Sequence, residues 1–172
     1  QVRDSLGEAV VAAALLSSTL KYDGLLSLQL RGEGPMHLML VECTDGLAMR
    51  AVARFHDVPD SRDLRVLSGN GTLTVTVESG NAANRYQGIV PLAGASMSDC
   101  LRDYFEHSEQ LPTRLWLRAD ADSASGLLLQ RLPVTARPQG VTESGAGGVT
   151  DEEIEDAWRR VQLVADTVTA EE

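Results

Sequence analysis

The chain has 172 residues and a net charge of −10, with 43% hydrophobic and 4% aromatic residues. A chain of this length buries roughly 70% of the surface that it exposes when unfolded, so it can form a core without a metal ion or a disulfide. The negative charge repels phosphate groups and few aromatic side chains are available to stack on bases, so we expect no nucleic-acid partner.

The first element is predicted to be a buried helix. Ser5 and Glu8 fit a capping box, in which two side chains satisfy free backbone amides at a helix start. The residues that follow, to about Leu20, are apolar nearly all round, which is typical of a helix packed against more than one partner. The Asp-Gly pair that ends at Gly24 predicts the end of this helix. Its apolar run, residues 9–16, is too short to cross a bilayer, so we expect no membrane partner.

A block with alternating apolar and polar residues follows the helix. The alternation predicts strands, which are separated by turns such as the Gly-Asn-Gly at residues 69–71. The predicted strands lie within residues 25–30, 36–43, 47–55, 64–79, 85–94 and 127–133. We expect an antiparallel meander with one packed face, and an α+β fold class in which antiparallel β-sheets pack with helices.

Residues 98–119 change from helical to alternating periodicity. Ser96 and Asp99 fit a second capping box, which predicts a helix start. The second half of the segment alternates, with Leu115 and Leu117 on one side and residues 114, 116 and 118 on the other. This pattern predicts a strand directly after the helix.

Between the helix and the strand lies a corner. Pro112 disfavours helical geometry in the residue before it, so the helix must end by about Gln110. Gln110 and Thr113 can hydrogen-bond backbone groups freed at the helix end. Arg114 opens the strand, where it can pair with an acid such as Glu109 or hydrogen-bond a carbonyl. We interpret Gln110, Pro112, Thr113 and Arg114 as a structural motif and not as an active site.

The C-terminal part divides into a linker and a helix. Residues 134–149 are rich in glycine, proline, serine and threonine, and predict a flexible linker after a core domain of residues 1–133. Residues 150–172 hold eight acids and two arginines, and predict an amphipathic helix with a solvated acidic face. Its apolar stripe consists of Ile154, Ala157, Trp158, Val161 and Val164.

The residue types that carry chemistry are scattered. His37, His56 and His107 are isolated in sequence, and Cys43 and Cys100 form no C-x-x-C pair, so we expect no metal site and no cofactor in this chain. Both cysteines are interpreted as small core residues, although one disulfide between them stays an alternative. Two unpaired thiols are typical of a reducing compartment, so we expect the protein in the cytoplasm.

We expect no enzyme activity, and two alternatives to the main interpretation stay open. No G-x-S-x-G nucleophile motif is present in the sequence. The first alternative is a non-catalytic scaffold or oligomerisation domain whose last helix docks on a partner subunit. The second is a hydrolase whose site lies among Asp45, His56 and Asp57.

Segments in order from about Leu15 to Leu132 resemble the heat shock protein 33 family of redox-regulated holdase chaperones. The most specific segment is YF-x-x-SEQLPTR, residues 104–114, and the next is QLRGEGPM, residues 29–36. The resemblance implies a stress-response chaperone that binds unfolding client proteins without ATP and is commonly a homodimer.

The resemblance also implies a redox switch outside these residues. In the family, four cysteines in C-x-C and C-x-x-C spacing hold zinc when reduced and form disulfides when oxidised. Cys43 and Cys100 match none of the four. We therefore expect zinc in the full-length protein and only the client-binding core, with part of its cover, in this chain.

A holdase needs apolar surface that is normally covered, because a large exposed apolar patch promotes aggregation. The stripe of Ile154, Trp158 and Val161 is a candidate for a removable cover, and the alternative is that this helix is a permanent part of the core. Candidates for the client surface are strand residues that could equally belong to the core: Met36, Leu38 and Leu40.

Overall fold

The computed structural model describes residues 1–57, 59–80, 84–132 and 150–168. Within these ranges the fold is α+β, as predicted. The helices are α1 (Val2–Thr19), α2 (Leu64–Ser68), α3 (Met97–Tyr104), a π-helical turn (Phe105–Glu109) and α4 (Asp151–Val168). The strands are β1 (Gly24–Gly32), β2 (Met36–Thr44), β3 (Met49–Phe55), β4 (Gly71–Ser79), β5 (Asn84–Pro91), β6 (Thr113–Ala119) and β7 (Ala124–Gln130). The predicted linker, residues 134–149, lies outside the described residues.

The strands form two antiparallel sheets. The larger sheet has the order β3-β2-β1-β4-β5, and β6 pairs with β7 in the smaller one. The predicted meander is confirmed over β1, β2 and β3, and β4 returns to the free side of β1. In the register, Leu28 of β1 lies between Val41 of β2 and Val75 of β4. Directly opposed residues share a face, so these three side chains enter the core together.

Helix α1 packs between the two sheets. Its buried side chains, among them Ala12 and Leu16, belong to the same core cluster as Leu26 and Leu28 of β1. The helix also contacts β6 and β7. A Cβ atom added to Gly7 would lie 2.6 Å from the Cβ atom of a β6 residue, so the glycine permits this close approach. The prediction that this helix is buried against more than one partner is confirmed.

The predicted capping box at Ser5 and Glu8 is wrong. Helix α1 begins at Val2, and the Ser5 amide already donates to the carbonyl oxygen of Gln1 at 2.9 Å. Val2 and Ser5 are both buried, so packing against the core extends the helix beyond the local start signal.

The sequence around Leu64–Ser68 also forms a short helix and not the expected β-structure.

The second capping box and the predicted corner are confirmed. Ser96 and Asp99 make both reciprocal hydrogen bonds at the start of α3. The helix continues into the π-helical turn and ends at Gln110, which has a left-handed backbone with φ of 56°. The end precedes Pro112 by two residues, as the steric effect of proline requires. Each helix in the described part of the chain is too short or too polar to span a bilayer.

Candidate functional site

The smaller sheet has an inner and an outer face. Leu115 and Leu117 pack with the core, as the alternation of β6 predicts. The neighbouring β6 residues point the opposite way, and their directly opposed β7 residues share that side. This side, called the outer face below, consists of Arg114, Trp116, Leu127 and Leu129.

Helix α4 lies on the outer face and is held there by polar contacts. The Nε atom of Arg114 donates to Oε1 of Gln162 at 3.2 Å. The Nε1 atom of Trp116 donates to Oδ1 of Asp166 at 2.8 Å. These residues are 48 and 50 positions apart in sequence, so the contacts fix where the helix lies on the sheet.

Apolar side chains of α4 contribute a second part of the contact. Ile154 and Trp158 are half-buried, and Ala165 is buried. An ion pair between Arg131 and Glu155 lies at the same end of the helix as Ile154. Ile154 thus lies beside the corner residues Leu111 and Pro112, and Trp158 and Ala165 withdraw further apolar surface of the same helix from water.

The remaining apolar residues of α4 face water. Val161 and Val164 are exposed, and Leu163 keeps 60% of its surface accessible. Helical spacing alone does not explain this exposure for Val161, because Val161 is three residues after Trp158 and four before the buried Ala165, which places it on the same side of the helix. Of the three predicted cover residues, Ile154 and Trp158 are half-buried and Val161 is exposed.

The predicted client-surface residues lie on both sides of the larger sheet. Met36 is fully buried, with 0% of its surface exposed, and belongs to the core cluster. Met36 therefore fits the alternative stated above, that these strand residues belong to the core. It cannot contact a client in this conformation. Leu38 and Leu40 are half-buried, and their role as client contacts stays a prediction.

The most exposed apolar strand is β3, which the sequence did not single out. It forms an edge of the larger sheet, and all but one of its side chains are exposed. Met49 and Val52 are exposed, and Phe55 keeps 56% of its surface accessible. The sequence did contain a signal for this exposure, because β3 has large apolar residues at both odd and even positions. A strand with one solvated face would alternate strictly between apolar and polar residues.

The residues of the hydrolase alternative do not form one site. Asp45 precedes β3 and His56 follows it, so they lie at opposite ends of this strand. The ring of His56 instead lies beside His37, with 5.9 Å between the ring centroids. In the described parts of the chain, no three His, Cys, Asp or Glu residues are grouped so that they could hold a metal ion.

Both cysteines are buried and carry free thiols. Cys43 belongs to the core side of β2, and Cys100 packs in α3. Burial raises the pKa of Cys100 to about 11. Because the reactive form of cysteine is the thiolate, this thiol is chemically quiet at neutral pH. The interpretation of both residues as small core side chains is confirmed.

At the corner, the side chains of Thr113 and Arg114 bond to backbone groups as the sequence predicted, whereas among the described residues the Gln110 side chain makes no such bond. The Thr113 hydroxyl donates to the carbonyl oxygen of Leu111 at 2.9 Å. The Nη1 atom of Arg114 donates to the Thr113 carbonyl oxygen at 3.2 Å. Of the two partners predicted for Arg114, the structure shows the carbonyl and not Glu109. Gln110 is exposed and contributes its left-handed backbone, and Pro112 is half-buried.

Glu109 instead accepts two hydrogen bonds from tyrosines. Its Oε1 atom accepts from the Tyr86 hydroxyl at 2.6 Å and from the Tyr104 hydroxyl at 2.7 Å. The bond to Glu109 raises the pKa of Tyr86, and burial raises the pKa of Tyr104. Both phenols therefore remain protonated donors at neutral pH. No local sequence pattern predicts this cluster, because Tyr86 is 23 residues away from Glu109.

A sequence profile of the family described as Hsp33 protein matches residues 1–172. The chain belongs to the Hsp33 family. The 33 kDa chaperonins of Ectopseudomonas mendocina and Azotobacter vinelandii are 46% and 47% identical to it over 99% of this chain. The alignments cover 55% and 54% of those proteins, so the chain spans about half the length of these relatives.

A solved Hsp33 structure has the same fold. The crystal structure of the 33 kDa chaperonin (heat shock protein 33 homolog) from Thermotoga maritima matches with a TM-score of 0.64 and 25% identity. The match covers 74% of this chain and 47% of that chain. The resemblance to the family is thus confirmed in sequence and in fold. Its most specific segment, residues 104–114, supplies both the corner and two members of the tyrosine–glutamate cluster.

Proposed function

We propose that this chain is the client-binding part of an ATP-independent holdase chaperone, which binds unfolding proteins through apolar surface and performs no catalysis. Membership in the Hsp33 family supports this proposal, since the relatives are named chaperonins. The exposed apolar residues of β3 supply apolar surface that is accessible without a conformational change.

We base a second part of the proposal on the position of α4: the helix covers the outer face and regulates the access of client proteins to it. The helix covers a face with Trp116, Leu127 and Leu129, and its polar contacts can be exchanged for contacts with water. A tether of the length predicted for residues 134–149 would keep a released helix at a high local concentration, so that it can return. Its acidic outer side keeps it soluble when released.

Client proteins are proposed to contact two areas. The first is the edge strand β3 with Met49, Val52 and Phe55, which is exposed whether or not α4 is in place. The second is the outer face after release of α4. Leu38 and Leu40 lie on the strand next to β3 and would extend the first area.

Redox regulation is proposed for the full-length protein only. A zinc site with four cysteines would lie outside these residues, because Cys43 and Cys100, the two cysteines of this sequence, are buried side chains. Oxidation would release zinc, form disulfides and free α4 from the outer face. We further propose that the full-length protein acts as a homodimer in the cytoplasm.

The holdase proposal is tested by light scattering of a heat-unfolded client protein. We expect this chain to suppress aggregation without ATP and to the same extent with and without peroxide, because its residues include no zinc switch. A chain that is inactive in both conditions, or active only with peroxide, would contradict the proposal. Bovine serum albumin at equal mass is the control for nonspecific protection.

The exposed side of α4 favours one alternative, a scaffold or oligomerisation domain. Val161 and Val164, three residues apart on this helix, form an exposed apolar pair that a partner subunit could cover. Multi-angle light scattering together with the client assay separates the two functions. An oligomer that dissociates on Val164→Glu and never protects a client would favour the scaffold.

A further inference from the structure

A cavity of about 240 Å³ lies where the end of α1, strands β4 and β5 and the π-helical turn meet. Its walls are mainly apolar and include Leu16, Val75, Val77, Phe105 and Leu111. A water molecule occupies about 30 Å³ in the liquid, so the volume corresponds to roughly eight waters. A cavity of about 150 Å³ can bind benzene, so this one has room for a single large side chain or a small ligand.

One end of the cavity is charged. Glu109 lines it, and the hydroxyls of Tyr86 and Tyr104 both donate to the same oxygen, Oε1. Among the residues that the structure describes, none donates a hydrogen bond to Oε2. The two tyrosines thus fix the direction of the carboxylate and leave its second oxygen for another donor.

The local backbone is built around this arrangement. Glu109 ends a π-helical turn, a rare conformation that often occurs at functional sites. Gln110 follows with a positive φ, which is uncommon for a residue other than glycine. On β5, a Cβ atom added to Gly88 would lie 2.4 Å from the Tyr104 ring, so only glycine leaves space for that ring. These features all place the Tyr104 and Glu109 side chains at the cavity.

We propose that this cavity binds an apolar group that ends in a cation, the chemistry of a lysine or arginine side chain or of a free alkylamine. The hydrocarbon part would occupy the apolar walls, and the cation would donate to Oε2 of Glu109. An anionic group would be repelled by the carboxylate, and an uncharged group would leave it without a partner. Lys21 also lines the cavity, so its ammonium group competes with the ligand and limits the affinity.

This inference is independent of the holdase proposal, because it concerns one pocket and can be tested without a client protein. The test is an NMR titration of the chain with two ligands of nearly the same shape, N-acetyl-lysine methylamide and N-acetyl-norleucine methylamide. We expect the lysine ligand to shift the amide signals of Tyr86 and Glu109 and to bind about tenfold more tightly than the norleucine ligand. Equal affinities, or no binding of the lysine ligand, would overturn the proposal.

Variants identify the group that recognises the cation. Glu109→Gln should weaken binding of the lysine ligand about tenfold or more and leave norleucine binding unchanged. Glu106→Gln is the matched control, because this carboxylate is on the same turn but exposed and outside the cavity. Tyr86→Phe removes one of the two hydroxyls at a partly exposed position, and should weaken binding even if the Glu109 variant fails to fold. If Glu109→Gln folds and binds as the parent does, or if Tyr86→Phe leaves lysine affinity unchanged, the proposal is wrong.

Two further ligands distinguish the sources of the cation. n-Butylammonium has the lysine side chain without a peptide backbone. A five-residue peptide with a central lysine has the same side chain on an extended backbone. Tighter binding of the peptide would assign the cavity to polypeptide side chains, and equal binding of both would assign it to free amines. Either result supports a cation-recognising pocket. Butyrate is the anionic control, and tighter binding of butyrate than of n-butylammonium would contradict the proposal.

Discussion

Trp158→Ala tests whether α4 is a removable cover. Trp158 is the largest apolar side chain that α4 itself contributes, and it is half-buried. Its removal weakens the contact with the outer face, whereas the polar contacts of Gln162 and Asp166 remain available. If α4 can detach, the variant should populate the detached state more often.

The size of the effect follows from the buried area. A fully covered tryptophan side chain buries about 150–250 Å², and half of this is about 100 Å². At about 25 cal/mol per Å² this area contributes about 2.5 kcal/mol to docking of the helix. Loss of this contribution shifts the docking equilibrium about 60-fold toward the detached state.

The assay combines hydrogen exchange with binding of an apolar dye. Backbone amides of Asp151–Val168 should exchange much faster in the variant while those of β1 and β4 keep their protection, and dye fluorescence and client protection should rise. Leu163→Ala is the control, because this side chain is on the same helix but largely exposed. If α4 amides exchange only together with the core amides, and the dye signal is unchanged, α4 is a permanent part of the core and the reasoning is refuted.

Three other predictions concern the edge strand β3, the buried thiol of Cys100 and the glycine that leaves space for the Tyr104 ring. Val52→Lys on β3 should reduce client protection at unchanged thermal stability, whereas Ile89→Lys, an exposed residue on the opposite edge strand, should not; equal losses for both variants would exclude β3 as a specific contact. Burial raises the pKa of Cys100 to about 11, so its protonated thiol stabilises the fold fully below the ordinary value of 9.0, and this contribution is lost as the pH rises through the folded-state pKa. At pH 8 the thiol should therefore react with Ellman's reagent only after unfolding, and rapid labelling of the folded chain would disprove its burial. Gly88→Ala places a Cβ atom 2.4 Å from a tyrosine ring carbon and should lower the free energy of unfolding by about 1–3 kcal/mol, measured by urea denaturation. Gly46→Ala, whose added Cβ has no neighbour nearer than 3.8 Å, should change it little; similar losses at both positions would show that the ring does not cause the effect.

The parts of the fold that follow from local rules were predicted from the sequence. The alternation of apolar and polar residues predicted β1 and β2. A shift of one residue in the strand register would move side chains such as Leu28 from the core to solvent, so this pattern specifies which face is buried. The steric effect of Pro112 fixed the end of α3, and the Ser96–Asp99 pair fixed its start. Helix α1 shows the limit of such rules, because burial of Val2 outweighed a cap signal three residues later.

The features near the candidate sites depend on tertiary contacts, which no local pattern contains. Tyr86 and Glu109 meet because β5 and the π-helical turn lie against the same end of α1. The apolar residues on both sides of β3 hinted at its unusual exposure, but its position at the edge of the sheet follows only from the strand order. The apolar stripe of α4 was predicted, but which part of it faces the fold depends on the two contacts of Arg114 and Trp116.

The composition of the α4 contact supports the proposal that this helix is released without unfolding of the core. Its ion pair between Arg131 and Glu155 is partly exposed, and pairs of this kind contribute about 0–1 kcal/mol. Hydrogen bonds such as that of Trp116 are replaced by bonds to water on release, so their net contribution is about 1 kcal/mol each. Ile154, Trp158 and Ala165 therefore supply most of the docking free energy, while the core itself keeps all the side chains between α1 and the sheets. A change of a few kcal/mol at the far end of the helix is then enough to detach it, since an equilibrium moves from 1:99 to 99:1 with about 5.5 kcal/mol.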